Sequence, residues 1–256
     1  MITDTHAHVF WTDYDSDRAL VLSRARAAGV TRMIIVGTNP ETSRQAFDLC
    51  ASESGLYPTA GIHPHDAAQH GATARAEIAE LCRRPECVAV GETGLDWFKQ
   101  FSPREAQLDN FRWHLELARQ LELPIVVHSR EAHSDTVALL TEFRGVRGVM
   151  HCYTMGEREL APYLELGFYI SFSGVVTYPK NVENRAAARA VPAERLLVET
   201  DCPFLAPQGS RGQRNEPALV RTVLEHIAGV RGVDVAALEE STSRNASVLF
   251  GLPPLA

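Results

Sequence analysis

The chain has 256 residues, 45% of them hydrophobic and 22% charged, which is the composition of an ordinary globular protein and not of a disordered or fibrous one. Its 25 lysines and arginines stand against 32 aspartates and glutamates, giving a net charge of −7. That balance argues against broad electrostatic coating of nucleic acid or of an anionic membrane. No apolar run approaches the roughly 20 residues of a membrane span, and the N-terminus lacks the basic and apolar regions of a signal peptide.

The cysteine content indicates reduced thiols. There are five cysteines, an odd number, and no two form a CxxC pair, so a disulfide framework or a zinc ribbon is not expected. Reduced thiols are typical of cytoplasmic proteins. We therefore expect a cytoplasmic protein without a membrane partner. The cysteines are Cys50, Cys82, Cys87, Cys152 and Cys202.

Eight short apolar segments recur along the chain, each rich in β-forming residues or closed by Gly or Pro, as buried parallel strands are. They are residues 1–6, 33–36, 56–62, 88–90, 124–128, 148–151, 168–170 and 195–198. Helical patterns lie between most of them, at 17–28, 75–83, 104–122, 132–143 and 219–228. Ser102 is the predicted N-cap of the helix that starts with Pro103 in its first turn.

This alternation predicts an α/β protein, a single-domain (β/α)8 barrel of the TIM type covering residues 1–256. A doubly wound open sheet is the alternative. The stretch Gly91–Gly94 does not match the glycine-rich phosphate fingerprint that such a sheet carries. No linker or low-complexity tract divides the chain.

Residues of the kind that bind metals follow the predicted strands. His6 and His8 close the first strand, and residues two apart on a strand point to the same side. Four further residues close the fourth, fifth, sixth and eighth strands: Glu92, His128, His151 and Asp201. Barrels of this type place their chemistry at the carboxyl ends of the strands. The six side chains are therefore expected to converge on a metal site.

Taken alone, the six residues differ in how strongly each of them indicates a metal site. A histidine after an apolar strand is more often a polar residue with ordinary hydrogen bonds, whereas a carboxylate beside a buried strand, such as Glu92, is costly unless it is paired or binds a metal. Imidazole with carboxylate suits Zn²⁺ or Mn²⁺, and Mg²⁺ also suits a phosphate-binding site. Cys152 and Cys202 are expected to point away from the metals, and the helical His114, His133 and His226 to be solvated.

Eight motifs, from Asp4–His8 (DTHAH) onward, resemble the TatD family of metal-dependent hydrolases, a branch of the amidohydrolase-like barrels. The others are GIHPHD from Gly61, GETGLDW from Gly91, PIVVHSR from Pro124, HCYTMG from His151, ETDCPFLAP from Glu199 and RGQRNEP from Arg211, and NASVLFGL from Asn245 extends the likeness to the C-terminus. They cover nearly the whole chain in the expected order.

The resemblance implies two divalent metal ions, Mg²⁺, Mn²⁺ or Zn²⁺. By analogy His6, His8 and Asp201 bind one ion, His128 and His151 bind the other, and Glu92 bridges them. A hydroxide held between the ions would be the nucleophile. Glu92 and Asp201 are thus the catalytic residues, with Asp201 accepting the proton of the nucleophilic water and returning it to the leaving group.

Three residues are predicted to contact the substrate: His63, Arg130 and Arg214. His63 follows the third strand, and Arg130 lies two residues beyond His128. Arg214 lies in the loop after the eighth strand, where such barrels often hold phosphate, and arginine suits phosphate oxygens. The competing interpretation is that Arg214 pairs with Glu216 on the surface.

The leading functional hypothesis is a cytoplasmic, monomeric hydrolase of phosphodiester bonds, similar to the exonuclease-type deoxyribonucleases of the TatD family. Its partner would be single-stranded DNA or DNA ends, which need only a few phosphate contacts. The first alternative is a deacylase of aminoacyl-tRNA, or another hydrolase of C–N or ester bonds, because the same nucleophile attacks either centre and fold alone does not assign function. The second is a non-catalytic metal-binding module.

Overall fold

All eight predicted strands are present in the structure, a computed structural model that describes residues 1–253. The last three residues of the predicted domain, 254–256, lie outside the described residues. The strands are β1 (Ile2–Ala7), β2 (Val30–Val36), β3 (Leu56–Ala60), β4 (Ala89–Asp96), β5 (Ile125–Arg130), β6 (Gly148–Met150), β7 (Tyr169–Phe172) and β8 (Leu196–Val198). They form one sheet in the order β1 to β8, and the pairings resolved along it are parallel.

Helices alternate with these strands through the described part of the chain. They are α1 (Arg18–Ala27), α2 (Pro40–Ser52), α3 (Ala72–Cys82), α4 (Arg104–Leu121), α5 (His133–Glu142), α6 (Leu160–Glu165), α7 (Val182–Ala190), α8 (Val220–Arg231) and α9 (Val235–Phe250). No helix within residues 1–253 is long and apolar enough to cross a membrane.

The chain groups into two compact units. The first contains Met1–Ile35, Cys152–Ala161 and the chain from Tyr169 onward, and the second contains Val36–His151 and Pro162–Phe168. The first therefore holds β1, β7, β8 and most of β2, and the second holds β3 to β6. That the whole chain is a single domain stays a prediction.

Within the first unit the last strand returns to the first. The Asp201 N–H donates to the His6 carbonyl (2.9 Å) and the His8 N–H donates to the Cys202 carbonyl (3.0 Å). Ala7 and Cys202 form a parallel bridge. With the strand order, this contact makes a nearly closed (β/α)8 barrel. The predicted fold class is confirmed, and the open-sheet alternative is wrong.

Strand β4 is longer than predicted, because its glycines are not strand breakers. Gly91 (φ 134°) and Gly94 (φ 137°) lie where the neighbouring strand approaches closely: a Cβ on Gly94 would meet the His128 carbonyl oxygen at 2.0 Å. Only glycine fits such a position. The strand therefore continues to Asp96, and Glu92 lies inside β4 rather than at its end.

Two predicted details of the second unit are wrong. Ser102 does not cap α4, since the residue at the cap position is Pro103. The Ser102 hydroxyl instead donates to the His65 carbonyl (2.7 Å) and accepts from the Ala68 N–H (3.0 Å). His114 is fully buried, not solvated, because a polar partner meets each of its ring nitrogens inside the unit.

Candidate metal centre

In the first unit, two imidazoles and one carboxylate meet. His6 and His8 project to the same side of the chain, and their Nε2 atoms lie 3.2 Å apart. The Asp201 Oδ1 is 3.7 Å from His6 Nε2 and 3.6 Å from His8 Nε2. All three side chains are largely or fully buried. Two nitrogens and an oxygen converging in this way can bind one cation.

Asp4, which sequence reasoning did not single out, fixes this geometry. Its fully buried carboxylate accepts from the backbone N–H groups of Thr200 (2.9 Å) and His6 (3.2 Å) and from the Thr200 hydroxyl (2.6 Å). Burial raises the pKa of Asp4 to about 8, although hydrogen bonds from Thr200 oppose the shift. Asp4 thus ties the β1 segment that carries His6 to the residue before Asp201.

The backbone of Asp201 has a left-handed conformation, with φ 57°. This region is uncommon for residues other than glycine, but Asp and Asn tolerate it best. Backbone outliers of this kind concentrate at functional sites. Here the conformation accompanies an Oδ1 that lies beside both histidines.

In the second unit, three imidazoles surround one carboxylate oxygen. The Glu92 Oε1 lies 2.9 Å from His151 Nε2, 3.1 Å from His128 Nδ1 and 3.3 Å from His63 Nε2. The carboxylate is 4% exposed, so its negative charge must be stabilised by these partners and not by water. The ligand atoms of His63, Glu92 and His128 all lie within 4.8 Å of one another.

The ring orientations in this cluster are set by other hydrogen bonds. His63 Nδ1 accepts from the His65 N–H (3.1 Å), which leaves the proton of His63 on Nε2, facing Glu92. Burial lowers the pKa of His63 to about 4 against the opposing effect of Glu92. The structure therefore places His63, predicted as a substrate contact, within the Glu92 cluster.

Asp96 is a second buried carboxylate that the sequence did not reveal. Its Oδ2 accepts from His65 Nε2 (2.8 Å) and His128 Nε2 (3.1 Å), and its Oδ1 accepts from the backbone N–H groups of Phe98 (2.9 Å) and Lys99 (2.8 Å). Burial raises the pKa of Asp96, but the hydrogen bonds from His128 and His65 outweigh it and the net shift is downward.

The electrostatics of His128 follow from its two carboxylate neighbours. Burial lowers its pKa, but the hydrogen bonds with Asp96 and Glu92 outweigh burial and the net shift is upward. A metal-binding histidine commonly donates its second ring N–H to a carboxylate, which fixes the tautomer and the ring plane. Asp96 occupies that position for His128.

The two predicted substrate arginines differ in their surroundings. The exposed Arg130 guanidinium lies over the Phe98 ring, 3.9 Å from its centroid. Arg214 instead binds Glu216 (3.2 Å), which is the pair that the competing interpretation of the sequence gives, and also Asp17 (2.7 Å), which the sequence did not indicate. The two cysteines beside predicted ligands pack elsewhere: Cys202 is buried, and the Cys152 thiol lies 3.1 Å from the Ser173 hydroxyl.

The donor atoms suit divalent metal ions. Each cluster consists of imidazole nitrogens and carboxylate oxygens without a thiolate, a set that favours Zn²⁺ or Mn²⁺ and leaves Mg²⁺ possible where phosphate takes part. In each, ring nitrogens lie close to one another or to a single oxygen, an arrangement that a shared cation stabilises. The residues present therefore fit a metal site.

Residues 3–251 match the family model described as TatD related DNase. The chain belongs to the TatD family. It is 37% identical over 252 residues to the uncharacterized metal-dependent hydrolase YabD of Bacillus subtilis, covering 98% of this chain and 99% of that protein. It is 38% identical over 248 residues to the 3'-5' ssDNA/RNA exonuclease TatD of Klebsiella pneumoniae, covering 94% of each.

Solved structures agree with this membership. The crystal structure of YJJV, a TatD homolog from Escherichia coli, superposes with a TM-score of 0.94 at 28% identity and covers 98% of both chains. The phosphotriesterase homology protein of Escherichia coli superposes with a TM-score of 0.72 at 15% identity over 97% of this chain and 98% of that chain, a likeness of fold alone. The predictions of family, barrel and metal-dependent hydrolase are confirmed.

Proposed function

We propose that this TatD-family protein is a divalent-metal-dependent exonuclease that hydrolyses phosphodiester bonds of single-stranded nucleic acid, starting from a strand end. The observation that carries the proposal is the Glu92 cluster: one buried carboxylate oxygen with three imidazole nitrogens within 3.3 Å, in a chain of this family. Relatives at 38% identity that bear the name 3'-5' ssDNA/RNA exonuclease support the substrate class and the polarity.

The proposed centre has two ions. His6, His8 and Asp201 would hold one, His128 and His151 would hold the other, and Glu92 would be a ligand of both. Bound ions of this kind lower the pKa of a water molecule and neutralise charge that develops on a phosphoryl oxygen. His63, which contacts Glu92, orients that carboxylate and faces the substrate.

Asp201 is the proposed proton carrier. A carboxylate serves as a base when it lies within hydrogen-bond reach of the proton it accepts. Asp201 keeps 14% of its side chain exposed, so water reaches it, whereas Glu92 is nearly inaccessible. Asp201 would take the proton of the attacking water and return it to the leaving oxygen.

Arg130 and Arg214 are the proposed contacts to substrate phosphates. Arg130 makes no ion pair with a described residue and is exposed, so its guanidinium is available. Arg214 already binds two carboxylates, and it would contact a phosphate with the donors that remain. Substituting each by Ala should raise KM for an oligonucleotide, with the larger effect expected at Arg130.

No disulfide joins any of the five cysteines, all of which lie within residues 1–253. Thiols outside disulfides are typical of cytoplasmic proteins, and we propose a cytoplasmic location and a monomer as the active form. Neither the two clusters nor the names of the relatives reported above favour the aminoacyl-tRNA deacylase over the nuclease.

The proposal is tested with metal-stripped protein supplied with Mg²⁺, Mn²⁺ or Zn²⁺ and given 5'-labelled and 3'-labelled single strands, a blunt duplex and aminoacyl-tRNA. We expect mononucleotides released from the 3' end of the single strand and no activity in E92Q. E142Q, which changes an exposed glutamate paired with Arg112, is the matched control. Free amino acid without strand loss, or no turnover with any ion, would contradict the proposal.

A further inference from the structure

The segment that follows β4 carries two exposed aromatic rings. Phe98 is 51% exposed and Phe101 is 64% exposed. Lys99, between them, and Arg130, on the neighbouring strand, are exposed as well. We call these four residues the aromatic platform. Scattered surface hydrophobic residues need no explanation, but two exposed phenylalanines with two cations 3.9 to 5.8 Å from their ring centroids form a chemically distinct patch.

The backbone that carries the first part of the platform is held by hydrogen bonds. The Asp96 carboxylate accepts from the backbone N–H groups of both Phe98 and Lys99. Upstream, the Trp97 N–H donates to the Arg130 carbonyl (2.9 Å) and its indole Nε1 donates to Asp135 (2.9 Å). A backbone that is ordered before binding reduces the entropy lost when a ligand stacks on the side chains it carries.

The cations of the platform lie over ring faces and not beside carboxylates. The Lys99 Nζ is 5.8 Å from the centroids of both Phe98 and Phe101, and the Arg130 Cζ is 3.9 Å from that of Phe98. Neither cation makes an ion pair with any residue from 1 to 253. In a chain of net charge −7, two unpaired cations at one place form a local site for an anion.

The platform is joined to the Glu92 cluster within the same unit. The Phe101 ring lies edge-on to His65, with 4.8 Å between ring centroids. His65 donates to Asp96, which also accepts from His128, and His128 contacts Glu92. A ligand on the platform would therefore lie beside the residues proposed to hold the metal.

We propose that the aromatic platform is a binding subsite for single-stranded nucleic acid, in which unpaired bases stack on Phe98 and Phe101 and the flanking phosphates pair with Lys99 and Arg130. Stacking on aromatic rings beside backbone-contacting cations is the general mode of sequence-tolerant single-strand binding. A duplex hides its base faces, so the platform selects unpaired strands. This inference rests on the proposed function and extends it to the way the substrate is held.

The test measures binding without catalysis. A fluorescent oligothymidylate is titrated with protein in EDTA, and its anisotropy is followed for the wild type and for F98A/F101A. Loss of stacking should weaken binding by about 5- to 160-fold per base. F98Y/F101Y keeps the ring faces and should bind like the wild type, whereas F98L/F101L keeps apolar side chains without rings and should bind as weakly as the alanine variant.

The salt dependence tests the cations. K99A should flatten the slope of log K against log salt concentration by about 0.7, the value for one phosphate contact on a single strand. Lys180, the only other lysine of the chain, is also exposed, so K180A is the matched control and should leave the slope unchanged. L20A removes an apolar side chain that is 61% exposed and controls for general loss of surface hydrophobicity.

The outcomes separate this inference from the proposed function. Ring-dependent binding in EDTA supports the platform even if no nuclease activity is found. If the wild type has nuclease activity but F98A/F101A binds the oligonucleotide as tightly as the wild type, the platform is overturned and the proposed nuclease function stands. Equal affinity for a blunt duplex, recovery of binding by the leucine variant, or no binding of the wild-type protein to the oligonucleotide would also overturn it.

Discussion

Asp96 holds His128 from the side opposite Glu92. The His128 Nε2 donates to Asp96 Oδ2 (3.1 Å), while Nδ1 of the same ring lies 3.1 Å from Glu92 Oε1. The proton is thereby kept on Nε2, and Nδ1 is the nitrogen left to bind a cation. Hydrogen bonds of this kind to metal-binding histidines contribute about 10- to 100-fold in metal affinity.

The first prediction concerns this contact. In D96N the amide NH₂ faces His128 Nε2 and cannot accept its proton, which favours the tautomer protonated at Nδ1. We expect Mn²⁺ or Zn²⁺ to bind about 10- to 100-fold more weakly, as measured by calorimetry on metal-stripped protein. D109N, at an exposed carboxylate paired with Arg75, is the control. Equal metal affinity in D96N and the wild type would exclude this positioning role.

The second prediction concerns Asp201. Asn tolerates the left-handed backbone at this position, so D201N should keep the fold while it removes the proton acceptor. We expect kcat to fall by about 10²- to 10⁴-fold, the usual contribution of a general base, with the unfolding temperature nearly unchanged. Steady-state kinetics beside thermal unfolding check both parts. Undiminished turnover would remove Asp201 from the mechanism.

The third prediction concerns the glycine that lets β4 and β5 approach. G94A adds a Cβ 2.0 Å from the His128 carbonyl oxygen at φ 137°. G145A is the matched control, because its φ is 102° and no atom lies within 4 Å of the added Cβ. Backbone strain alone should lower the free energy of unfolding of G145A by about 1–3 kcal/mol. The clash should lower the free energy of unfolding of G94A by more. Urea unfolding measures both, and equal losses would show that close approach is not the reason for Gly94.

The fourth prediction concerns pH and His114. Burial lowers its pKa from 6.5 to about 3, since its Nε2 must accept from the Ile62 N–H. Below pH 6.5 the unfolded chain takes up a proton that the folded chain does not. The stabilisation is therefore complete above pH 6.5 and is lost as pH falls toward 3, by up to about 1.4 kcal/mol per pH unit.

The H114Q variant isolates that effect, because glutamine can accept the same hydrogen bond and does not titrate. Denaturant unfolding from pH 7 to pH 4 should show a free energy that falls more steeply in the wild type than in H114Q. Parallel curves would mean that His114 is not the group responsible.

Local pattern was sufficient to predict the barrel and the first cluster. Alternation along β1 places His6 and His8 on one side, and this follows from strand geometry alone. The positions after short apolar segments likewise identified the residues that meet at Glu92. These features depend on the two-residue repeat of side chains along a strand and on the ends of apolar segments, and both can be recognised in the sequence.

The residues that orient the ligands could not be predicted in the same way. Asp4 and Asp96 are fully buried, but in the sequence each is only one aspartate among many. Their roles depend on partners far along the chain, such as Thr200 for Asp4. The signal that could have found them is their place inside motifs already recognised, DTHAH and GETGLDW.

The extent of β4 was also beyond local reasoning. Gly91 and Gly94 resemble strand breakers until the neighbouring strand is known to pass within contact of their Cα atoms. Likewise the sequence shows only that His114 lies in a helix. Its burial and the hydrogen bond from the Ile62 N–H to its Nε2 depend on how α4 packs. Long-range packing decides such cases.

The most direct test of the account is anomalous diffraction from crystals grown with Mn²⁺. We expect two peaks, one beside His6, His8 and Asp201 and one beside His128 and His151, with the Glu92 carboxylate in contact with both. A single peak, peaks remote from these side chains, or no peak at saturating Mn²⁺ would contradict it.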